Sequence, residues 1–198
     1  EFLDSFYKEQ ANSISKEDSE EKAQNDEGDF VEEYKAQELS ESEKMAEQIQ
    51  KALNRNGLQD MVEVDFNAEY VQLNLSGAIL FNSGESDLVS EAKPIITKIA
   101  KILTRYDKNI IEVEGHTDNV PISNDRYEDN DVLSMYRART VATYIRSKTK
   151  KKLNPAYIKS AGRGDYVPVA DNSTAEGRAR NRREEIKIYN SYNSDLGQ

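Results

Sequence analysis

The stretch that decides the fold is Ile110-Ile111-Glu112-Val113-Glu114-Gly115-His116-Thr117-Asp118-Asn119-Val120-Pro121. Its first four residues form a short segment that is apolar and β-branched except at Glu112, which predicts a buried strand. Gly115 has the freest backbone of any residue type and predicts a turn after that strand. The polar residues that follow are then delivered to the rim of a sheet. A carboxylate, Asp118, is therefore expected at a strand end, on rigid structure, where binding groups are common.

The composition excludes several classes of protein. The 198 residues carry a net charge of -10, which argues against nucleic acid as a partner. Nine acidic side chains and two lysines between Lys16 and Glu33 account for -7 of that charge, so the acidity belongs to one segment. The sequence has no cysteine, which excludes disulfides and thiolate zinc sites. No run approaches the roughly 18 apolar residues that a membrane span needs.

Composition and periodicity divide the chain into four parts. Residues 1–35 are rich in Ser, Glu and Asp and poor in apolar side chains, which predicts a flexible acidic linker or juxtamembrane segment. Residues 36–60 predict a helix that packs on the domain, because apolar residues recur at helical spacing. In this helix Ser40 and Ser42 are the candidate N-caps. Residues 61–190 are the predicted domain, and residues 191–198 a C-terminal tail.

The period of the apolar residues predicts the elements of the domain. Alternation at 62–66 and 71–75 indicates two strands joined as a hairpin. A broad apolar stripe at 88–106 indicates a helix, with Pro94 in a first turn or at a kink. A second helix with an apolar side is predicted at 133–150. A possible short strand at 159–162, a short helix at 175–180 and a final strand through Ile186 and Ile188 complete the series. The predicted fold class is α+β: a mixed β-sheet with helices packed mainly on one face.

An arginine lies on the buried side of the helix predicted at 133–150. Arg137 follows Leu133 by four residues and precedes Val141 by four. A buried guanidinium is unfavourable unless it is paired, and Asp118 at the preceding strand end is the natural partner. Two interpretations stay open. In the first, the pair is a structural brace between strand and helix. In the second, it is a split site: Asp118 accepts a hydrogen bond from a ligand ammonium, and Arg137 donates two parallel hydrogen bonds to a ligand carboxylate.

Three segments resemble the signatures of OmpA-like peptidoglycan-binding domains. They are Glu114 to Asn119 (EGHTDN), Leu133 to Ala138 (LSMYRA) and Glu176 to Ile186 (EGRARNRREEI), within a resemblance that covers roughly 79–189. Any one of them alone is a weak signal, whereas their order and spacing together are specific. The resemblance implies an OmpA-like fold with an N-terminal helix and an acidic linker before it.

The resemblance also implies roles for particular residues. Asp118 matches the family aspartate that holds the amino group of stem-peptide diaminopimelate, and Arg137 matches the arginine that holds its carboxylate. Thr117 and Asn119 shape the loop and present hydrogen bonds, and Arg182 lines or braces the cleft. These five residues are the predicted peptidoglycan-binding set.

No catalytic residue, metal or cofactor is expected. His116 is the only histidine in the chain and has no local set of metal ligands around it in the sequence. Ser134 begins a helix, where N-capping explains a serine, and no nucleophile-elbow pattern surrounds it.

The loop at 120–132 and the acidic linker most resemble the flagellar-motor stator branch of this family. That resemblance implies a noncatalytic domain that anchors a stator to the cell wall, on the extracytoplasmic side of the cell membrane. The implied partners are peptidoglycan, a MotA-type stator subunit bound through a membrane segment, flagellar ring proteins and a second copy in a homodimer. Two alternatives remain: an outer-membrane wall-tethering protein of the same family, and a dimeric assembly module without a ligand.

Overall fold

The structure is a computed structural model and describes residues 20–195. Its helices are α1 (Glu20–Arg55), α2 (Gly77–Leu80), α3 (Ala92–Leu103), α4 (Asn130–Thr149) and α5 (Ala175–Asn181). Its strands are β1 (Val62–Phe66), β2 (Tyr70–Ser76), β3 (Ile111–His116), β4 (Ile158–Gly162) and β5 (Arg183–Tyr189). Three short 3₁₀ turns lie at Lys150–Lys152, Pro155–Tyr157 and Ser191–Asn193.

The strands form one five-stranded sheet in the order β1-β2-β5-β3-β4. β1 and β2 are the predicted antiparallel hairpin, with Val64 opposite Leu73. β5 runs antiparallel to both β2 and β3, while β3 and β4 are parallel. The mixed sheet predicted from the sequence is therefore confirmed.

The core lies between the helices and one face of the sheet. Alternate strand residues such as Leu73, Val113 and Ile186 are fully buried against the helices. α3 and α4 supply matching buried side chains, among them Ile96 and Ile145, as expected for amphipathic helices. The other sheet face carries charged and polar side chains. The α+β fold class with helices mainly on one face is confirmed.

Gly115 does not make the turn that the sequence predicts. It lies inside β3 and pairs with Gly162 of β4, and β3 continues to His116. Its role is close packing, because a Cβ at this position would overlap the carbonyl oxygen of Ser134 in α4. At Gly162 a Cβ would likewise come within 2.5 Å of the backbone nitrogen of Met135. These two glycines let the first turns of α4 approach the sheet.

α1 is longer than predicted. It begins at Glu20, inside the segment predicted to be a flexible linker, while residues 1–19 lie outside the described part of the chain. Glu, Lys, Ala and Gln are strong helix formers, and the prediction weighed only the apolar residues. Ser42 is consequently not an N-cap: it is buried in the middle of α1, where its hydroxyl accepts from the Asn190 amide at 3.0 Å. Within residues 20–195, no helix has the length and hydropathy to span a membrane.

The bounds of α3 and α4 also differ from the predicted ones. α3 starts at Ala92 rather than near 88, because Leu88 instead pairs with Phe81 as an isolated bridge. Pro94 falls in the first turn of α3, where its missing N–H costs little. α4 starts three residues earlier than predicted, since the Asp129 carboxylate accepts from the Val132 backbone N–H at 2.9 Å and caps the helix.

Candidate functional site

A cavity of about 590 Å³ opens where the loop after β3 meets α2, α4 and α5. Its volume is in the usual range for small-ligand sites. Four of the five predicted site residues line it: Thr117, Asp118, Arg137 and Arg182. Asn119 is exposed and is not among the lining residues. Further lining residues come from Gly77 to Gly84, from Val120 to Ile122, and from Asn130, Leu133 and Arg178.

Asp118 is paired with Arg182 rather than with Arg137. Arg182 Nη1 donates to Asp118 Oδ2 at 2.5 Å, and the Val120 backbone N–H donates to Oδ1 at 3.1 Å. The Asp118 residue is only 8% exposed, whereas the Arg182 side chain is 38% exposed. The carboxylate is therefore held on the cavity wall by one partly exposed cation and one backbone donor.

Arg137 is held by backbone carbonyls instead of by a carboxylate. Its Nε donates to the Glu85 carbonyl at 2.8 Å and its Nη2 to the Asn82 carbonyl at 3.3 Å. The guanidinium also stacks over the Phe81 ring, 5.0 Å from its centroid. Burial lowers the pKa of Arg137 below its usual value. Because the two carbonyls carry no net charge, the positive charge of Arg137 is not neutralised by a direct ion pair among the described residues.

Thr117 and the loop after it are tied to neighbouring elements. The Thr117 backbone N–H donates to the Gly164 carbonyl at 2.8 Å, while its buried hydroxyl has no hydrogen-bond partner among the described residues. The Asn130 amide donates to the carbonyls of Asp118 at 3.2 Å and Val120 at 3.1 Å. The strand end is thereby fixed to the start of α4.

The long loop at 120–132 is anchored by a buried tyrosine. Tyr127 is 2% exposed, and its hydroxyl lies 2.7 Å from Ser86 Oγ. Next to it, Arg126 forms a two-pronged salt bridge with Asp87 at 2.9 and 3.2 Å. The loop is therefore packed onto the segment that follows α2.

Sequence reasoning missed two contributors to the site. Arg178 lines the cavity and donates to the carbonyls of Asn172 and Ser173, although it is not one of the five predicted site residues. The other contributor is the pair of carbonyls that hold Arg137, and a backbone carbonyl leaves no signal in a side-chain pattern. With Arg137, Arg178 and Arg182 against the single carboxylate of Asp118, the cavity lining carries an excess of positive charge.

A cluster on the opposite face of the sheet brings together the groups that could hold a metal ion. Ligand atoms of Glu114, His116 and Glu185 lie within 4.8 Å of one another. However, Lys187 Nζ is 2.6 Å from Glu114 and Arg183 Nη2 is 2.6 Å from Glu185. His116 and Lys187 hold the pKa of Glu114 at about 2. Although burial pushes the pKa of Glu185 upward, His116 and Arg183 hold it at about 2 as well. The two carboxylates are thus already neutralised, and the cluster is a charge-paired patch of the sheet.

Comparison with curated proteins gives relatives of known name. Motility protein B of Bacillus subtilis is 32% identical over 154 residues, which are 78% of this chain and 58% of that protein. Outer membrane protein A of Bordetella avium is 38% identical over 111 residues, 56% of this chain and 54% of that protein. The chain therefore spans somewhat more than half the length of these relatives.

Solved structures share the fold. The cell wall anchor of the T6SS from Pseudomonas aeruginosa is 34% identical with a TM-score of 0.65, covering 72% of this chain and 96% of that one. The periplasmic domain of Helicobacter pylori MotB is 25% identical with a TM-score of 0.60, covering 66% and 80%. A MotB-like protein from Desulfovibrio vulgaris has a TM-score of 0.73 and covers 79% and 98%, and at 24% identity it supports the fold alone.

The match to a protein family agrees with the three motifs and with the fold. Residues 80–182 match the OmpA family, and these residues are more than half of the 198 in the chain. The resemblance inferred from the sequence is thus confirmed, and the chain belongs to the OmpA family.

Proposed function

We propose that this domain binds peptidoglycan without catalysis and anchors a flagellar stator to the cell wall. The observation that carries the proposal is the cavity itself. One carboxylate, Asp118, and one buried guanidinium, Arg137, which has no direct counter-ion within residues 20–195, both lie on its wall. A ligand that bears an ammonium and a carboxylate on one carbon matches this pair of charges.

Diaminopimelate of the peptidoglycan stem peptide has that chemistry at the free end of its side chain. Its ammonium would be held by Asp118, which it would share with the partly exposed Arg182. Its carboxylate would be held by Arg137, whose Nη1 has no hydrogen-bond partner among the described residues. Charge-assisted hydrogen bonds of this kind contribute about 1.5–3 kcal/mol each. Thr117 would add its unpartnered hydroxyl, whereas Asn119 would act only through the backbone of the loop.

The stator role is supported by the relatives. Motility protein B is similar over most of this chain, and the periplasmic domain of H. pylori MotB shares its fold. By this proposal the domain lies on the extracytoplasmic side of the cell membrane and functions as a homodimer. Two domains on one assembly would raise wall affinity through effective concentration. A MotA-type subunit and flagellar ring proteins are the remaining proposed partners.

Co-sedimentation with purified cell-wall sacculi tests the proposal. The 198-residue protein is expected to sediment with sacculi, and Asp118→Asn is expected to weaken binding at least tenfold while the fold is retained. Asp65→Asn, at an exposed position on β1, is the matched control and should bind like wild type. If wild type stays in the supernatant, the domain is an assembly module and not a wall-binding one. If wild type sediments and Asp118→Asn binds as well as wild type, recognition through Asp118 is wrong.

A second role in the same binding class is anchoring of a different envelope machine or of the outer membrane. The 34% identity to the T6SS cell wall anchor favours this alternative. A deletion strain discriminates the two. A stator anchor is required for swimming, whereas loss of another anchor leaves swimming intact.

A further inference from the structure

One ionisable side chain, Glu184, lies in the core two residues after Arg182 of the cavity lining. Glu184 is on β5 between Leu75 of β2 and Gly115 of β3, and it is 0% exposed. Neither of its carboxylate oxygens has a hydrogen-bond partner among the described residues. Burying an unpaired carboxylate is far more costly than burying a neutral acid. The geometry therefore favours the protonated form.

The surroundings of Glu184 link it to the ligand site. A Cβ at Gly115 would come within 3.2 Å of Glu184 Oε1, on the side where α4 crosses the sheet. Burial raises the pKa of Glu184 well above its usual value of 4.5, and the largest opposing influence is the positive charge of Arg137. The other charged groups that act on it, Arg183 and Glu185, are its neighbours on β5. Leu75, Gly115 and Ser134, which face it from the adjacent elements, carry no charge.

We propose that Glu184 is a positioning residue that sets the charge Arg137 offers to the ligand. This inference rests on the proposed function. As a neutral acid, Glu184 leaves the Arg137 guanidinium free to bind a ligand carboxylate. As a carboxylate, Glu184 would neutralise the charge of Arg137 from within the core and so compete with the ligand carboxylate. Ligand binding is therefore coupled to protonation of a group that the ligand does not touch.

The coupling has a defined sign. Because the ligand carboxylate binds better when Glu184 is neutral, ligand binding raises the affinity of Glu184 for its proton. By reciprocity, protonation of Glu184 raises the affinity of the domain for the ligand. Binding should therefore weaken as the pH rises through the pKa of Glu184 in the free protein. The decrease for one proton is at most about tenfold per pH unit.

Calorimetric titration of the 198-residue chain with a diaminopimelate-containing muropeptide, between pH 5 and pH 9, tests the coupling. Wild type is expected to lose affinity with pH, and to take up protons on binding when buffers of different ionisation enthalpy are compared. Glu184→Gln, which is isosteric and neutral, should match wild type at pH 5 and lack this part of the pH dependence. Glu63→Gln, at an exposed strand position, should keep the wild-type profile. Groups on the ligand titrate equally in all three proteins and cancel in the comparison.

A second measurement uses only wild type, so it tests the coupling even if Glu184→Gln does not fold. The ¹³C chemical shift of the Glu184 carboxyl in wild type should show a raised pKa in the free protein and a higher one with muropeptide bound. A pH profile of Glu184→Gln identical to that of wild type, or a Glu184 pKa that the ligand does not move, overturns the coupling and leaves the wall-binding function standing. Absence of muropeptide binding at every pH overturns the proposed function and the coupling with it.

Discussion

Glu184 should make the domain less stable as the pH rises. Below the unfolded-state pKa near 4.5, both the folded and the unfolded protein hold the proton, and the neutral side chain is buried without a charge. As the pH rises from there towards the raised folded pKa, only the unfolded state releases the proton, and stability falls. In Glu184→Gln that loss is absent. The free energy of unfolding, measured with urea, should therefore increase for the variant relative to wild type as the pH rises from 4.5 to 8. Parallel curves for the two proteins would contradict the buried neutral acid.

Single residues also show what the sequence could predict of the site. Arg137 was identified because its spacing from Leu133 and Val141 places it on the apolar side of α4, and the structure buries it there. Its partners could not be predicted, since they are backbone carbonyls at Asn82 and Glu85, brought near by the path of a loop. The strand alternation of Glu184 with Ile186 and Ile188 did contain a signal that Glu184 faces the core.

At the scale of elements, the approach of α4 to the sheet depends on glycine. Gly115→Ala is expected to lower the free energy of unfolding by about 1–3 kcal/mol or more, because its methyl group would overlap the Ser134 carbonyl. Urea unfolding measures the loss. Ser160→Ala, exposed on β4, is the control and should stay within about 0.5 kcal/mol of wild type. A Gly115→Ala variant as stable as wild type would show that α4 can move away without cost.

The elements themselves were predictable wherever one face is apolar. The hairpin, α3 and β5 each follow a clear period of two or 3.6, and the sequence located them to within a few residues. The period of α4 is weaker, because polar residues interrupt its apolar side, yet its start was located to within three residues. The turn predicted at Gly115 was wrong because glycine serves either backbone freedom or close packing, and the sequence does not distinguish these uses. The early start of α1 was missed because its first turns are rich in helix-forming residues that present no apolar stripe.

For the whole molecule, we expect the fold to need only the second half of α1. Among residues 30–55, for which burial is described, the buried side chains begin at Ser42 and Met45, and the Asn190 amide reaches the Glu38 carbonyl at 3.2 Å. Before residue 36, Tyr34 packs edge-on against Tyr192 with the ring centroids 5.1 Å apart, a contact worth about 0.5–1.5 kcal/mol. A chain that starts at residue 36 should therefore unfold within about 1 kcal/mol of the full chain in a urea titration. A chain that starts at residue 57 also loses Ile49 and Leu53, each contributing about 1.5–3 kcal/mol, and should not fold cooperatively. Equal destabilisation by both truncations would contradict the predicted boundary at 36.

The central claim, that the cavity binds an ammonium and a carboxylate together, is tested most directly by two muropeptides that differ only in the third residue of the stem peptide. One carries diaminopimelate and the other lysine, which retains the side-chain ammonium and lacks the adjacent carboxylate. Calorimetric titration of the wild-type chain should show binding of the diaminopimelate form and at least tenfold weaker binding of the lysine form, since the lysine peptide leaves Arg137 without its anion. Arg137→Lys, which keeps the charge and loses the planar fork, should bind the diaminopimelate form more weakly than wild type does. Equal affinity of wild type for the two peptides would contradict the claim.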